Sequence, residues 1–197
     1  SIVGIDPGRP LADLFTAAAA VAAHNHAVCD GHEQGVVVFV TPGDLPAQHG
    51  GRGAAARAMI HSFPLAFSGW ADAYEGGVAL RVASVRQVPD ACWPVRAKVR
   101  SRLHYYLADR EAAAAEPAAR AVLLHLDGRV SETSTANIAV VRGGTITSPP
   151  PEDALPGVSL RHARSIAESL GLPWSARSLG TDDLGSADEI LLTSTPS

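Results

Sequence analysis

The chain has 197 residues, 46% of them hydrophobic, and a formal net charge of −4. This length allows a hydrophobic core and one or two domains. The weak negative charge, without a basic run, gives no basis for binding nucleic acid. No apolar run reaches the roughly 18 residues of a membrane span. With two distant cysteines and no signal-peptide pattern, we expect a cytoplasmic protein.

An alanine-rich helix is predicted near the N-terminus, over residues 11–21. Three histidines crowd the turn that follows it, at positions 24, 26 and 32. Because no carboxylate lies at a spacing that would complete a site, we predict no metal. Residues 36–41 (VVVFVT) form an apolar run that is typical of a central strand covered on both faces.

The rest of the first half predicts a surface loop and two more strands, which complete a small α/β lobe. They cover residues 44–57, 63–70 and 78–86. Prolines between residues 88 and 94 then indicate a boundary, which predicts domains at residues 1–90 and 91–197.

Lys98 is the only lysine in a chain with fifteen arginines. Arginine supplies the same charge but cannot be deprotonated in a protein or attack a carbonyl, so a retained amine indicates imine chemistry. The alternative, equally supported by this residue alone, is a chance survivor on a solvated surface. Lys98 precedes a helix predicted over residues 101–115, with Leu103, Tyr106, Leu107 and then its alanines directed inward.

The second half predicts further strands and two helices around a polar segment. A strand and an Asp127-Gly128 hairpin turn lead into a run of hydroxyl and amide side chains that surrounds one carboxylate, Glu132. The remaining predicted elements are strands at residues 121–126, 138–142, 145–147, 174–179 and 188–193, and helices at residues 159–170 and 181–185.

Two segments in this half are suited to binding an anion. Gly157-Val158-Ser159 stands at a helix start, where backbone N–H groups and the helix dipole favour negative charge. The alternative is an ordinary serine cap. Thr193 to Thr195 add hydroxyls after the last strand. An amine, a lone acid and phosphate donors together match the needs of pyridoxal phosphate.

From about Val85 to Thr195 the chain also resembles the class IV (fold type IV) pyridoxal-phosphate enzymes, which comprise branched-chain and D-amino acid aminotransferases and aminodeoxychorismate lyases. The resemblance rests on Lys98, VSETSTAN around Glu132, LPGVS and ADEILLTST, in the family's order. It implies a two-lobed α/β fold with a small N-terminal lobe and a larger C-terminal lobe with a mixed, barrel-like sheet. It also implies a homodimer.

The same resemblance implies a role for each matched residue. Lys98 would form an imine with the cofactor and move the substrate proton. Glu132 would keep the pyridine nitrogen protonated, and Leu155 would pack against the ring. The phosphate would be bound by the amides of Val158 and Ser159 and by the hydroxyls of Ser159 and Thr195.

The chain also departs from the family pattern. No counterpart of the family's N-terminal phosphate-binding arginine is found, and the usual ending after the TST segment is missing. We therefore expect either a chain trimmed at both ends or one that is discontinuous at loops. Branched-chain enzymes usually place a tyrosine five residues after the lysine, where this chain has Leu103. The KxxSRL pattern favours the lyase or D-amino acid branches without deciding between them.

Three functions follow as expectations. The first is an aminotransferase that moves an amino group between an amino acid, of branched-chain or D type, and a 2-oxo acid. The second is a lyase that releases pyruvate and 4-aminobenzoate from aminodeoxychorismate. The third is a catalytically silent family member.

Overall fold

The structure, a computed structural model, describes residues 2–44, 46–48 and 55–195. The chain divides into two compact units, the first extending to Ala71 and the second covering Asp72–Thr195. The predicted domain boundary after residue 90 stays a prediction. In the part of the chain that is described, no helix is both long and apolar enough to cross a bilayer.

The first unit combines a helix with a two-stranded antiparallel sheet. Helix α1 (Leu11–Val28) packs on both strands, β1 (Gln34–Thr41) and β2 (Arg57–Pro64). The prediction that residues 36–41 form a central strand covered on both faces is wrong. Within the described residues β1 pairs with β2 alone, and Val36 and Val38 are 38% and 37% exposed.

Two other expectations fall at the end of this unit. Most of the loop predicted over residues 44–57 lies outside the described residues. Residues 63–70, predicted as a strand, instead contain the end of β2 and the start of helix α2 (Phe67–Gly76). Pro64 explains the change, because proline cannot donate a hydrogen bond and is disfavoured within a continuing strand.

The second unit is built on a seven-stranded mixed sheet. Its order is β3-β4-β5-β6-β7-β8, with β9 also paired to β6. The strands are β3 (Leu80–Arg86), β4 (Arg120–Leu124), β5 (Val130–Thr133), β6 (Asn137–Arg142), β7 (Thr145–Ser148), β8 (Trp174–Ala176) and β9 (Glu189–Thr193). The predicted mixed α/β class is confirmed, whereas the described strands form an open, branched sheet and not a closed barrel.

Three helices accompany this sheet: α3 (Leu103–Ala115), α4 (Val158–Ser169) and α5 (Thr181–Gly185). Helix α3 packs on β3 and β4 through alanines, since Ala108 and Ala112 are buried in one cluster with Leu123. The predicted inward residues Leu103, Tyr106 and Leu107 are instead 67%, 60% and 38% exposed. Small side chains therefore mark the buried face, because they let the helix backbone approach the sheet closely.

Strand β5 brings polar side chains into the interior. All four of its residues are buried, including Glu132. Glu132 pairs with Asn137 of β6, and Asn137 pairs in turn with Thr193 of β9. The antiparallel pairing thus aligns an acid, an amide and a hydroxyl across three neighbouring strands.

Candidate active site

Glu132 is the acidic group at the centre of the candidate site, and it is 7% exposed. Its Oε1 accepts a hydrogen bond from the Tyr105 hydroxyl at 2.6 Å. Its Oε2 accepts from Asn137 Nδ2 and from the Leu155 backbone N–H, each at 3.2 Å. The carboxylate is therefore held on both oxygens by donors from three separate segments.

Burial and the neighbours of Glu132 act on its pKa in opposite directions. Burial is the largest influence and raises the pKa, because it disfavours the charged form. The hydrogen bonds from Tyr105 and Leu155 lower the pKa, as do the positive charges of Lys98 and Arg102. Burial prevails, and the Glu132 pKa lies above that of an ordinary glutamate.

Lys98 lies in the irregular segment before α3, and its side chain is exposed. Its ammonium acts on the Glu132 pKa, so the two groups lie within electrostatic range. The preceding segment is fixed by hydrogen bonds from the Val95 N–H to Asp90 Oδ1 and from the Ala97 N–H to the Pro94 carbonyl, both at 2.9 Å. An accessible amine thus stands on a fixed loop near a buried acid.

Arg102 adds a second cation beside the acid. Its guanidinium lies 4.6 Å from the centroid of the Tyr105 ring, a cation–π distance. The same side chain donates to the Ser134 carbonyl oxygen. Arg102 therefore connects the start of α3 to the loop that follows Glu132.

The predicted anion segment begins helix α4. Gly157 is the residue before the helix and has an extended backbone, with φ −66° and ψ 142°. A Cβ at Gly157 would overlap Asn137 Oδ1, so the position requires glycine. Val158 and Ser159 fall in the first turn, where backbone N–H groups have no acceptor within the helix. Val158 is exposed and Ser159 half-buried.

Thr195 is exposed, and the residue before it, Ser194, contacts the loop after Glu132. The Ser194 hydroxyl donates to the Thr135 carbonyl at 2.7 Å, which joins the segment after β9 to the loop after Glu132. In this region Ser134 Oγ and Thr193 Oγ1 are buried without a partner among the described residues. Buried hydroxyls are normally hydrogen-bonded, and either a water molecule or a bound polar group would satisfy these two.

The predicted site residues are related to Glu132 in different ways, by a hydrogen bond, by charge or by position along the chain. Glu132 and Leu155 share a hydrogen bond, Lys98 acts on Glu132 through its charge, and Val158 and Ser159 follow Leu155 at the start of α4. A protonated ring nitrogen would fit the Glu132 carboxylate. A phosphate would fit the N–H groups in the first turn of α4, which have no acceptor within the helix.

Sequence reasoning did not single out Asn137, Tyr105 or Gln87. Asn137 stood at the end of the polar run around Glu132. Tyr105 was identifiable from its spacing, because it lies three residues before Ala108 on the buried face of α3. Gln87 follows β3 and carries no local signal, since its partners lie 18 and 44 residues away.

Comparison with known proteins identifies the family. The sequence model described as "Amino-transferase class IV" matches residues 4–197. The chain belongs to the class IV aminotransferase family. A "probable branched-chain-amino-acid aminotransferase" from Thermotoga maritima is 32% identical over 122 residues, which cover 61% of this chain and 44% of that relative.

Solved structures agree with this class IV assignment. A branched-chain aminotransferase from Thermoproteus uzoniensis with norvaline matches 98% of this chain and 63% of its own, with TM-score 0.79 and 28% identity. A branched-chain amino acid aminotransferase from T.th. with pyridoxamine 5'-phosphate matches 73% and 47%, with TM-score 0.64 and 30% identity. The chain spans less than half the length of its curated Thermotoga relative.

Proposed function

We propose that this class IV chain acts as a pyridoxal-phosphate-dependent aminotransferase, moving an amino group between an amino acid and a 2-oxo acid. The observation that carries the proposal is the buried Glu132 carboxylate, held by three donors within electrostatic range of the sole lysine. The names of the relatives support a branched-chain amino acid as the donor.

Pyridoxal phosphate, when bound, supplies an electron-withdrawing ring that stabilises negative charge at the substrate's alpha carbon. In the proposal, Lys98 supplies the nucleophilic amine and moves the proton of that carbon. Glu132 holds a proton on the ring nitrogen, and Leu155 packs against the ring. The N–H groups of Val158 and Ser159 bind the phosphate, together with the hydroxyls of Ser159 and Thr195.

The remaining expectations belong to the same proposal. The domains are proposed at residues 1–90 and 91–197. A homodimer is proposed from the family resemblance, and a cytoplasmic location is proposed because the two distant cysteines make no disulfide framework.

The sole lysine makes a direct test possible. After incubation with pyridoxal phosphate and reduction with borohydride, peptide mass spectrometry should find the cofactor attached at Lys98. Lys98→Ala and Lys98→Arg should both lose the adduct and the transfer of amino groups to 2-oxoglutarate. The arginine variant is the matched control, because it keeps the charge near Glu132 but cannot form the bond.

Both variants should keep the wild-type circular dichroism, because the Lys98 side chain is exposed. A panel of amino acids identifies the donor, and aminodeoxychorismate tests for lyase activity. Transfer by Lys98→Arg at the wild-type rate would contradict the assigned role. A wild-type protein that takes up no cofactor would contradict the whole proposal and favour the catalytically silent alternative.

A further inference from the structure

A set of hydrogen bonds surrounds Glu132, and it includes residues that have no role in the proposed reaction. Gln87 Nε2 donates to the Tyr105 hydroxyl oxygen and to Ser131 Oγ, each at 3.1 Å. Ser131 Oγ donates to the Asp153 carbonyl at 2.7 Å. Two residues beyond Asp153, the Leu155 N–H returns to Glu132. This circuit joins β5, α3, the end of β3 and the segment before α4.

Gln87 is fixed within the circuit. It is 3% exposed, and its Oε1 accepts from the Val88 N–H at 2.9 Å. Its own backbone N–H donates to the Leu124 carbonyl at 2.9 Å. Because both ends of the amide are engaged, its Nε2 approaches the Tyr105 oxygen from one direction. The Tyr105 O–H is thereby left to point at Glu132.

The two oxygens of Glu132 differ in how many more hydrogen bonds they can accept. An ionised carboxylate accepts roughly four hydrogen bonds, about two at each oxygen. Oε2 already receives Asn137 and Leu155, whereas the one donor found at Oε1 among the described residues is Tyr105. A further N–H donor would therefore be accepted at Oε1, next to the Tyr105 hydroxyl.

We propose that Tyr105, oriented by Gln87, is a positioning residue that keeps Glu132 ionised and presents its Oε1 to the ring N–H of the cofactor. The inference rests on the proposed function. Its physical basis is competition for one proton. In an N–H···O pair the proton stays on nitrogen only while the carboxylate is the weaker base. Donation by Tyr105 counteracts the effect of burial on Glu132.

Tyr105 is suited to this task because it remains a donor. Burial, followed by the charge of Glu132, raises the pKa of the Tyr105 hydroxyl well above its ordinary range. The proton therefore stays on the phenol at neutral pH. A short O–H···O⁻ bond such as this one, at 2.6 Å, belongs to the stronger class of hydrogen bonds.

Helix α3 provides a matched pair of variants. Tyr105→Phe removes the hydroxyl and keeps the ring under Arg102. Tyr106→Phe makes the same chemical change at the next residue, which is 60% exposed. Gln87→Met is a second test variant that leaves Tyr105 in place but removes the group that orients it.

The first measurement uses the protein without cofactor and reads the ionisation of Glu132 directly. Carboxyl carbon NMR on glutamate-labelled protein follows each resonance with pH, and Glu132→Gln identifies the Glu132 signal by its loss. Tyr105→Phe should raise the Glu132 midpoint, Gln87→Met should raise it less, and Tyr106→Phe should leave it unchanged.

Other titrating or charged groups near Glu132 must be followed in the same series. Lys98 and Arg102 act on its pKa, and the Glu132 charge acts on that of His125. His104 stacks on Tyr105 with ring centroids 4.0 Å apart. Histidine ring signals report whether a midpoint change belongs to Glu132 itself. An unchanged Glu132 midpoint in Tyr105→Phe would overturn the proposal.

The second measurement follows pyridoxal phosphate binding by quenching of tryptophan fluorescence. Tyr105→Phe should raise the dissociation constant about tenfold, the effect of losing a hydrogen bond to a charged group. In a Glu132→Gln background the same substitution should have little further effect, because the two residues then act through one contact. An equal loss in both backgrounds would indicate a merely structural tyrosine and overturn the proposal.

The two measurements separate this inference from the proposed function. If the wild-type protein binds no pyridoxal phosphate, the proposed function fails. The NMR midpoints then decide alone whether Tyr105 keeps Glu132 ionised. If the cofactor binds and reacts but Tyr105→Phe leaves the titration midpoint of Glu132 unchanged, the proposed function stands and the role of Tyr105 is rejected.

Discussion

At the scale of single residues, Glu132 is a buried carboxylate whose hydrogen-bond donors are all uncharged. Carboxylates are almost never fully buried unless they are paired, and the three donors to Glu132 are an uncharged hydroxyl, an amide and a backbone N–H. Their partial compensation leaves the pKa of Glu132 above that of an ordinary glutamate. The stability of the cofactor-free protein should therefore depend on pH through this residue.

The sign of that dependence follows from the raised pKa of Glu132. The folded state binds the proton more tightly than the unfolded chain, so the contribution of Glu132 to stability is full below the ordinary glutamate pKa. It is lost as the pH rises through the raised value. Glu132→Gln cannot titrate. Its free energy of unfolding should therefore fall less than that of the wild type as the pH rises through this window.

Glu111 provides a control, because its pKa is shifted in the direction opposite to that of Glu132. Hydrogen bonds from the Ser84 hydroxyl and backbone N–H, both at 2.7 Å, lower the Glu111 pKa. Its contribution is present above the ordinary glutamate pKa and is lost in acid, so Glu111→Gln should differ from wild type at neutral pH and converge with it in acid. Urea unfolding at several pH values measures the free energy of unfolding of Glu132→Gln and Glu111→Gln against that of the wild type. Parallel curves for Glu132→Gln and wild type would refute the assignment.

At the scale of elements, the start of α4 depends on the close approach of the Gly157 backbone to the Asn137 side chain. Gly157 leaves room for the Asn137 amide, which donates to both Glu132 and the Leu155 carbonyl. Gly157→Ala should destabilise the protein by about 1–3 kcal/mol, because the methyl group must displace Asn137 from a packed interior. It should also weaken pyridoxal phosphate binding.

Gly185→Ala is the matched control for that change. Gly185 ends α5 with no atom within 4 Å of an added Cβ, so its replacement should be neutral or slightly stabilising. Thermal unfolding and fluorescence titration would compare the two variants. Equal stabilities would show that the backbone at Gly157 moves freely, contrary to the geometry.

The elements also show how far the sequence alone reaches. Strand β5 is polar and was predicted only as a polar run, whereas β3, β4, β6 and β7 were predictable from apolar runs and from hairpin signals such as Asp127-Gly128 and Gly143-Gly144. The last pair adopts the positive φ values, 55° and 76°, that a tight turn requires. The buried face of α3 was predicted in part: two of its alanines are buried as predicted, whereas Leu103, Tyr106 and Leu107 are exposed and the inward Tyr105 was missed.

The candidate site was likewise predictable only in part. Lys98 and Glu132 were found from composition and from the family motifs, which are local in sequence. The connection from Gln87 through Tyr105 to Glu132 joins three separate elements. It depends on the register of β3 against β4 and on the rotation of α3, and neither quantity is encoded in any short segment. The polar partners of the acid therefore needed three-dimensional coordinates.

At the scale of the whole molecule, burial is unevenly divided between the two units. Among the described residues up to Ala71, Leu14 and Gly35 alone are buried. The second unit contains three buried apolar clusters, and every residue of β5 is buried. The second unit also contains all six predicted site residues. Its sheet should therefore be the most stable part of the chain.

Hydrogen exchange on the intact chain tests this difference. Amides of β4, β5 and β6 should exchange slowest, and those of β1 and β2 faster, since opening a region with few buried contacts costs less free energy. Each 1.4 kcal/mol of difference corresponds to about tenfold in exchange rate. Equal protection in β1 and β5 would mean that the chain unfolds as one cooperative unit. Slow exchange confined to the second unit would instead show that the scaffold holding Glu132 stays folded while the first unit opens.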